Sequence, residues 1–533
     1  MRRIFDPVYG YIELEEDEFD LITSPIFQRL QRIMQTGPLH LVFPGAVHTR
    51  YSHSIGVFHI VKKMILHLKK RMGSIGGSFF GGEKEERELR FAALLHDIGH
   101  LQLSHCGERA LTAAYESKKA EKQKQRGAKK RVNPEQISWT NLFDDKYLSS
   151  STRLHECLSV EIVLNDKEIG KILERAYPHR AYPLTRENIA SLIVGKHKIQ
   201  RLNTLLHSEL DADRLDYLLR DSYFTGLNYG KIDLDYVISR LIMPTEKDLE
   251  GDSFLCVEDK GLHTVEHYIL SRFFLTTQAL SNRRVRALEI LFDEVMKYMI
   301  LSKKSDYHIL DLEELLQHIK QGDTDNLHEI YSHTDAQVFT KMRKLHECLD
   351  KKVKSKKGNI EEKYINDCIK MIMDAQIADP VESAQILVEL KRNEADMKAK
   401  NYQSERRRIE SEAMEIAKKA AKDLEIYQKR IKVDIKTVVL MAYTNIRDAQ
   451  HRLAEEPNRE AVRIYIENAQ KTKDRIKFAA EAKASILKSL ADKELLLFNV
   501  FYVKSSREQA QTEEKEKIEK IRKCFEKFVA KNF

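Results

Sequence analysis

The densest group of residues that could carry out chemistry lies between Phe91 and His100, where the chain reads FAALLHDIGH. An apolar helix that ends in the adjacent pair His96 and Asp97 can offer one metal ion an imidazole nitrogen and a carboxylate oxygen. His100 follows one helical turn after His96, so we expect it on the same face. This spacing predicts a metal site at the end of a helix.

Two other segments supply residues of the same types. One is the run TRYSHS over Thr49–Ser54, and the other is LDADRLDYLLRD over Leu210–Asp221. The predicted metal ligands are His53, His96, Asp97 and Asp213. Such a mixture of imidazole and carboxylate suits Mn, Fe, Zn, Ni or Co better than Ca or Mg alone. A metal held in this way can generate hydroxide near neutral pH and polarise a phosphoryl oxygen.

A His-Asp pair alone is more typical of a surface contact or a helix cap, so the metal prediction depends on the three segments occurring together. Helices must position most of these residues. Apolar residues at helical spacing predict helices over Ser54–Lys70, Glu85–His96, Ile189–Leu205 and His263–Met299. Alternating patterns at Tyr11–Leu14 and Phe254–Val257 favour parts of small hairpins. The predicted fold class is all-α with small β-hairpins.

The last third of the chain has a different composition. No glycine follows Gly358, and apolar residues recur every three to four positions from 381 to about 454 and from 460 to 491. This pattern predicts long amphipathic helices, paired as a helical hairpin or coiled coil. The apolar run Leu495–Val503 is either a docking surface or part of an internal core.

Composition excludes several classes of protein. The 533 residues include 90 basic and 82 acidic side chains, with a formal net charge of +8, and 42% are hydrophobic. These values exclude a collagen-like chain and a mainly disordered one. No CxxC pair, secretory signal or long apolar stretch is present, so we expect a reduced, cytoplasmic protein with no membrane segment.

A basic insertion over residues 118–150 is the strongest local charge feature. Lys118–Arg131 has eight basic residues and one acidic residue. A solvated loop and a contact with nucleotide phosphates or nucleic acid are both open interpretations. The small net charge of the whole chain does not decide whether nucleic acid is a partner.

The order His53, His96-Asp97, Asp213 resembles the HD-domain metal-dependent phosphohydrolases. The surrounding sequence is similar to the deoxynucleoside-triphosphate (dNTP) triphosphohydrolases, which include bacterial dGTPase-like enzymes and the sterile-alpha-motif HD-domain protein of animals. The similar segments lie within residues 1–300 and are Phe27–Gly37, Phe43–Ala46, His48–Val57, Leu95–His100, His155–Glu156 and Leu210–Gly230.

The resemblance implies hydrolysis of a dNTP at the α-phosphorus, which releases a deoxynucleoside and inorganic triphosphate. His53, His96, Asp97 and Asp213 match the family's metal ligands. His105 and Glu108 match the general acid/base and its orienting carboxylate, and His100 and His155 match histidines that contact phosphate or assist proton transfer. Histidine suits this task because its unperturbed pKa lies nearest neutral pH. Glu108 can reach His105 if this turn is helical.

The resemblance also implies substrate contacts. Gln35 and Asp221 match residues near the 3′-hydroxyl, and Tyr217 matches a ring that packs against the deoxyribose. Arg50 and Arg214 are suited to spreading the charge of the triphosphate, to which Mg could also bind. Thr36 stands where the family usually has leucine, so the strictness of deoxyribose selection stays open. No residue can be assigned to the base.

The resemblance covers an HD-domain catalytic core over 1–300. The composition and spacing of the remaining residues predict a helical support region over 301–380 and a long-helix extension over 381–533, which we expect to be an oligomer or partner interface. The resemblance further implies a homo-oligomer, a dNTP activator and a role in depleting dNTPs for antiviral or anti-phage defence. Two alternatives remain open. The HD site could act on another nucleotide or on single-stranded nucleic acid, or the chain could be a nucleotide-gated assembly module that binds a protein partner through 381–533.

Overall fold

The structure of the protein is a computed structural model. The described residues are 1–72, 82–125, 142–148, 152–175, 184–244, 254–304, 306–321, 332–374, 379–389, 400–439, 463–465, 476–478, 485, 493–504 and 511–532. Most of them lie in helices, which confirms the predicted all-α class. Across these residues, no helix combines the length and apolar character needed to cross a bilayer.

The described residues contain eighteen α-helices, numbered α1 to α18 in chain order. The first nine are α1 (Glu16–Thr23), α2 (Pro25–Gln28), α3 (Arg50–Met72), α4 (Glu83–Leu95), α5 (His105–Gln125), α6 (Leu154–Asn165), α7 (Lys167–Arg175), α8 (Arg186–Ile193) and α9 (Gln200–Asn203). The others are α10 (Ala212–Thr225), α11 (Leu234–Ser239), α12 (Leu262–Leu275), α13 (Arg283–Leu301), α14 (Leu312–Gln321), α15 (Asp335–Lys354), α16 (Ile360–Met373), α17 (Lys400–Asp423) and α18 (Gln511–Asn532).

Nine strands form three sheets within the described residues. The strands are β1 (Arg2–Asp6), β2 (Gly10–Leu14), β3 (Leu241–Ile242), β4 (Cys256–Glu258), β5 (Asp379–Glu389), β6 (Ile431–Val439), β7 (Arg463–Tyr465), β8 (Ile476–Phe478) and β9 (Lys493–Tyr502). Strands β1 and β2 form a hairpin, and the other sheets have the orders β3-β4-β7-β8 and β5-β9-β6. The strand patterns seen in the sequence near Tyr11 and Phe254 therefore correspond to β2 and β4.

The chain divides into two compact units. The first comprises Met1–Leu275, Leu310–Val338 and Met441–Ala491, and the second comprises Thr276–Ile309, Phe339–Leu440 and Asp492–Phe533. In the first unit, α3 packs against both α4 and α10. Leu94, Leu95, Val57 and Leu215 are fully buried in these helices, so apolar packing fixes the elements that carry His53, His96 and Asp213.

Gly56 permits the close approach of α3 to α10. A methyl group at this position would collide with Oδ1 of Asp216 and Nη2 of Arg220, which are buried on α10. Glycine costs helix stability because it gains more backbone entropy on unfolding than alanine does. The missing side chain of Gly56 is what allows the buried carboxylate of Asp216 to lie beside α3.

Two of the predicted helices are interrupted. Ile189–Leu205 contains α8 and α9, separated by Gly195, whose left-handed φ of +70° ends the first helix. His263–Met299 contains α12 and α13, separated by a π-helical turn over Thr276–Leu280 and an N-cap at Asn282. The stretch 96–100 is also not helical, because α4 ends at Leu95 and a series of turns follows. The spacing of apolar residues alone does not show where a helix is interrupted.

The prediction of continuous helices over 381–454 is wrong in part. Helix α17 is present, but β5 and β6 lie on either side of it. In β6, Ile431, Val433 and Ile435 alternate with polar residues, and β-branched residues of this kind favour strands. Residues 440–462, which complete the first predicted helix, lie outside the described residues. In the region 460–491 the described segments are β7, β8 and Ser485.

The run Leu495–Val503 belongs to a core. It forms β9, the middle strand of the second unit's sheet, and Leu496 to Val503 are all buried. Helices α17 and α18 cover one face, where Ile409 and Phe525 join a cluster with Phe498. The core interpretation is therefore confirmed. Of the basic insertion over 118–150, residues 118–125 extend α5 and 142–148 are described, whereas 126–141 and 149–150 lie outside the described residues.

Candidate active site and metal centre

The four predicted metal ligands meet in the first unit. His53 lies in the first turn of α3, His96 and Asp97 follow α4, and Asp213 lies in the first turn of α10. His53 Nε2 is 3.1 Å from Asp213 Oδ1 and 3.5 Å from Asp97 Oδ2, and His96 Nε2 is 3.5 Å from Asp97 Oδ1. One ligand atom from each of His53, His96 and Asp213 lies within 4.8 Å of the others.

The nitrogen atoms of this cluster fit a metal ion. Nε2 of both His53 and His96 is buried without a hydrogen bond of acceptable geometry. The opposite ring nitrogens are bonded, because His53 Nδ1 lies 2.7 Å from Asp216 Oδ2 and His96 Nδ1 lies 2.8 Å from the carbonyl oxygen of Ala93. Metal-ligating histidines usually donate their second N–H to a carboxylate or a carbonyl. Both imidazoles are therefore oriented with the free nitrogen toward the cluster.

A chain of buried ion pairs supports His53 from behind. Asp216 accepts hydrogen bonds from Nε and Nη2 of Arg220 at 2.9 and 3.0 Å, and Nη1 of Arg220 donates to Asp6 at 2.9 Å. Burial alone would lower the pKa of His53, but the carboxylates of Asp213 and Asp216 raise it to about 10. The pocket around this imidazole is thus strongly negative, as a cation site requires.

Arg50 supports the other carboxylate. Its Nη1 donates to Asp97 Oδ2 at 2.5 Å and its Nε donates to Ser104 Oγ at 3.0 Å, and all three side chains are buried. Burial would raise the pKa of Asp97, whereas Arg50 and His96 hold it well below its usual value. Asp97 is therefore an anion that is ready to bind a metal.

A second cluster joins His100, His105, Glu108 and His155. Helix α5 begins at His105, so the expected helical spacing brings Glu108 Oε2 to 2.7 Å from His105 Nδ1. Glu108 Oε1 lies 2.6 Å from His155 Nδ1 and also accepts the backbone N–H of His155 at 2.7 Å. The rings of His100 and His155 stack with their centroids 3.9 Å apart.

The two clusters touch through His100, whose Nε2 lies 3.4 Å from Asp97 Oδ1. Gly99, just before it, packs so closely against α6 that an added methyl would collide with the carbonyl oxygen of His155. The side chain of Ser159 completes this contact, since it accepts the N–H of Gly99 at 2.8 Å and donates to the carbonyl of His96 at 2.8 Å. The turns over residues 96–100, named the HD turn below, are thereby fixed to α6.

Protonation differs among the histidines of the second cluster. Burial would lower the pKa of His155, but the Glu108 carboxylate raises it. Loss of solvation lowers the pKa of His105 in spite of Glu108, and burial lowers that of His100 well below its usual value. Burial would raise the pKa of Glu108, whereas His155 and His105 hold it well below the usual range. The Glu108 carboxylate therefore favours the charged form of His155, whereas burial favours the neutral forms of His105 and His100.

The predicted sugar residues lie on two elements. Gln35 is buried, with its N–H donated to the carbonyl of His48 at 3.0 Å, and its Oε1 has no hydrogen-bond partner. Asp221 on α10 lies 2.8 Å from His48 Nε2, and the His48 ring stacks on Phe224 at 4.8 Å. His48 thus links both residues. The buried hydroxyl of Thr36 also has no hydrogen-bond partner.

Tyr217 and Arg214 follow Asp213 on α10. Burial raises the pKa of Tyr217 to about 12. Arg214 donates to Asp211 at 3.1 Å and lies 4.0 Å from Glu209. Glu209 also bonds Arg272 of α12, a residue that the sequence did not single out. Two guanidinium groups therefore flank one carboxylate beside the predicted ligand Asp213.

Other supporting residues also escaped sequence reasoning. Asp216 and His48 lie inside the recognised segments but were not assigned a role, although Asp216 is spaced one helical turn from Asp213. Asp335, which accepts two backbone N–H groups beside the site, lies far outside those segments. No local sequence pattern identifies Asp335, because its hydrogen-bond partners are more than two hundred residues away in the chain.

Comparison with known proteins gives three findings. The HD domain family matches residues 50–140. The uncharacterized protein YwfO of Bacillus subtilis is 30% identical over 297 residues, which are 55% of this chain and 54% of that protein. Deoxynucleoside triphosphate triphosphohydrolase SAMHD1 of Danio rerio is 25% identical over 315 residues, 58% of this chain and 46% of that protein. The chain spans about half the length of these relatives.

Solved structures share the fold. A phosphohydrolase from Bacteroides thetaiotaomicron superposes with a TM-score of 0.60 at 19% identity, covering 94% of this chain and 100% of that one. A hypothetical protein from Aquifex aeolicus superposes with a TM-score of 0.59 at 22% identity, covering 97% of this chain and 99% of that one. At such identities the likeness concerns the fold alone.

Proposed function

We propose that the chain, which matches the HD domain family over residues 50–140 and is similar to dNTP triphosphohydrolases, is a divalent-metal-dependent phosphohydrolase that cleaves dNTPs at the α-phosphorus. The products would be a deoxynucleoside and inorganic triphosphate. One observation carries the proposal: a cluster of metal donors with unpaired imidazole nitrogens adjoins a carboxylate that joins two histidines. Metal activation of the nucleophile and proton transfer to the leaving group are two means by which phosphoester hydrolysis is catalysed.

His53, His96, Asp97 and Asp213 would hold the metal. When bound, a divalent ion such as Mn, Fe, Zn, Co or Ni supplies a hydroxide near neutral pH and neutralises phosphoryl charge. Asp216 and the carbonyl of Ala93 keep the imidazoles in the ligating orientation. Arg50 keeps Asp97 ionised and in place.

The departing 5′-oxygen needs a proton, which His105 Nε2 would donate. Its Nδ1 is held by Glu108, and its side chain is 49% exposed, so a substrate can reach Nε2. Loss of solvation lowers the pKa of this imidazole in the free protein, but the negative charge of a bound triphosphate would favour its protonated form. His155 would hold a proton on the other side of Glu108, and His100 would contact phosphate.

The remaining residues would bind the substrate. Gln35 and Asp221, linked by His48, would recognise the 3′-hydroxyl, and Tyr217 would pack against the deoxyribose. Arg50 and Arg214 would bind the triphosphate, with Mg carried on its outer phosphates. Family behaviour supports a homo-oligomer activated by a dNTP and used to deplete dNTPs against viruses or phages. Replication of phage in cells with wild-type or Asp97→Ala protein would test that role.

A second candidate substrate rests on Thr36. Its hydroxyl is buried without a hydrogen-bond partner, and a shorter, polar side chain stands where the related enzymes usually carry leucine. A 2′-hydroxyl could meet this group, which would favour ribonucleotides or single-stranded nucleic acid as substrates of the same HD site.

The deciding experiment separates these substrates. The full-length protein is incubated with each dNTP, each NTP and a single-stranded oligonucleotide, in Mn, Mg or Co, with the other dNTPs added as activators. Chromatography identifies the products. Nucleoside plus intact triphosphate from dNTPs, lost in Asp97→Ala and His96→Ala, supports the proposal. Cleavage of only NTPs or oligonucleotides, or activity that survives both substitutions, would contradict it.

A further inference from the structure

Asp335 is a buried carboxylate that lies far along the chain from the HD segments but beside them in the first unit. It opens α15, and its side chain is 6% exposed. Oδ2 accepts the backbone N–H of Met34 at 2.9 Å, and Oδ1 accepts that of Leu103 at 2.6 Å. One side chain therefore joins two loops that are separated by about seventy residues.

The loop that contains Leu103 leads directly into the second histidine cluster. Leu103 and Ser104 have left-handed φ values of 57° and 51°, which cost non-glycine residues on the order of 1 kcal/mol each. His105 follows at once and begins α5. Such a turn persists only when its surroundings hold it, and the Leu103 N–H bond to Asp335 is one of the contacts that do so.

The second loop carries Gln35. Met34 donates its N–H to Asp335, and its carbonyl accepts the Ser104 hydroxyl at 2.7 Å, so the two loops are also bonded to each other. An added methyl on Gly37 would lie 2.8 Å from the carbonyl oxygen of Leu103, which shows how closely the loops pack. A shift of either loop would move both His105 and Gln35.

The segment over residues 333–335 makes a second contact with the HD turn, through Arg29. Arg29 is buried and donates to the carbonyl of Ile98 at 2.5 Å and to the carbonyl of His333 at 3.4 Å. The segment from His333 to Asp335 therefore contacts the HD turn on both sides, at residue 98 through Arg29 and at residue 103 through its own carboxylate.

We propose that Asp335 is a positioning residue for the reaction: its two hydrogen bonds set the place of His105 and Gln35 relative to the metal site. The expected effect of Asp335 on catalysis rests on the proposed function. Its effect on the position of the two loops rests on the hydrogen bonds alone. In Asp335→Asn, the side-chain amide could accept from only one of the two N–H groups and would turn its own NH₂ toward the other. The substitution therefore breaks the double acceptor at nearly constant volume.

The test compares four full-length variants with the wild type. Asp335→Asn is the test variant, and His105→Ala together with the double variant completes a cycle. Asp166→Asn is the matched control: Asp166 is also buried and accepts the N–H of Ile169 at 2.8 Å, but it lies at the other end of α6 from His155. Thermal unfolding and bound metal per chain are measured for each protein.

With the dNTP that the wild type cleaves fastest, we expect Asp335→Asn to lower kcat on the order of 100-fold at unchanged metal content, as a displacement of about 1 Å can do. In the His105→Ala background the same substitution should change kcat by no more than about twofold, because the two residues act together. Asp166→Asn should lower the unfolding temperature but not kcat.

Hydrogen–deuterium exchange separates this inference from the proposed function. Loss of the Asp335 carboxylate should increase exchange in peptides over 30–36 and 101–106, and Asp166→Asn should not. Unchanged exchange there would overturn the positioning role, even if no dNTP is cleaved and the proposed function itself fails. Increased exchange with unchanged kcat, or equal losses of kcat in both backgrounds, would also overturn it.

Discussion

The two histidine clusters are held by different chemistry. In the metal cluster, buried arginines stand behind the carboxylates: Arg50 bonds Asp97, and Arg220 bonds Asp216 behind His53. In the second cluster, the hydrogen-bonding partners of Glu108 among the described residues are two imidazoles and a backbone N–H. A permanent cation fixes the charge of the first cluster, whereas titratable groups share the charge of the second.

This difference suits the two proposed tasks. A guanidinium does not lose its proton, so Asp97 stays ionised whatever happens to the substrate. An imidazole can gain or lose a proton near neutral pH, so the second cluster can take part in proton transfer. We therefore expect substitutions in the first cluster to act on metal binding and those in the second to act on turnover.

The strongest test of that division is Glu108→Gln. Loss of the shared carboxylate should lower kcat by about 10²- to 10⁴-fold, the usual contribution of a positioned acid/base group. Metal content should stay at the wild-type level, because Glu108 is not one of the ligands. Steady-state kinetics and metal analysis of the purified protein would measure both quantities.

Glu161→Gln is the control for this variant, since Glu161 is a buried carboxylate on the same helix as His155 and bonds Asn165. It should leave kcat unchanged. Loss of metal from Glu108→Gln as well would show that the two clusters do not have separate tasks.

A smaller effect is expected from Asp216→Asn. The residue orients His53 without being a predicted ligand, so metal affinity should fall about 10- to 100-fold while kcat at saturating metal changes less. Metal titration followed by activity or calorimetry would measure this. Asp6→Asn removes the other partner of Arg220 and should destabilise the fold without weakening the metal. Equal loss of affinity in both variants would contradict the orienting role of Asp216.

The next effect concerns substrate choice. His48→Phe should keep the stack on Phe224 but remove the hydrogen bond to Asp221, so the preference for a dNTP over its 2′,3′-dideoxy analogue should fall about 10-fold in kcat/KM, the value of one hydrogen bond to a charged group. Phe224→Leu keeps the hydrogen bond and should retain the preference. An unchanged preference in His48→Phe would limit His48 to packing.

The smallest effect is on stability and contrasts two carboxylates, that of buried Asp335 and that of partly buried Glu108. Burial raises the pKa of Asp335 to about 6, against the N–H groups that lower it. Between about pH 4 and 6 the folded protein therefore holds a proton that the unfolded chain has released, so stability falls as pH rises, by roughly 1 kcal/mol per unit. Glu108 has a lowered pKa, so its contribution is present above its unfolded pKa and is lost as pH falls.

Denaturant unfolding from pH 4 to 7 would check these signs. Relative to wild type, Asp335→Asn should become more stable as pH rises, and Glu108→Gln should become less stable as pH rises from the low end of the range. Parallel curves for the two variants would show that their carboxylates share one electrostatic environment.

The sequence was sufficient for the residues that chemistry marks by type and spacing. His53, His96, Asp97 and Asp213 were expected to meet, and they do. The three-residue spacing from His105 to Glu108 predicted their contact because a helix indeed starts there. Asp335 could not be found in this way, since a single acid at a helix start has many ordinary explanations and its partners are backbone groups.

The second unit shows the opposite case. Lys, Glu and Ala dominate α17, and the same spacing of apolar residues extends across β5, where β-branched and apolar residues pair with β9 instead. Pairing of β5 with a strand more than a hundred residues away decides its structure, and periodicity within a short window does not contain that information.

Gly56 illustrates how far the requirements of the site extend. It contributes no side-chain atom to either histidine cluster, yet the space that it leaves open is occupied by Asp216 and Arg220. In a saturation mutagenesis screen scored by activity, position 56 should therefore tolerate as few amino acids as the metal ligands do. A map of such intolerance would trace the contact between α3 and α10 as clearly as it traces the chemistry.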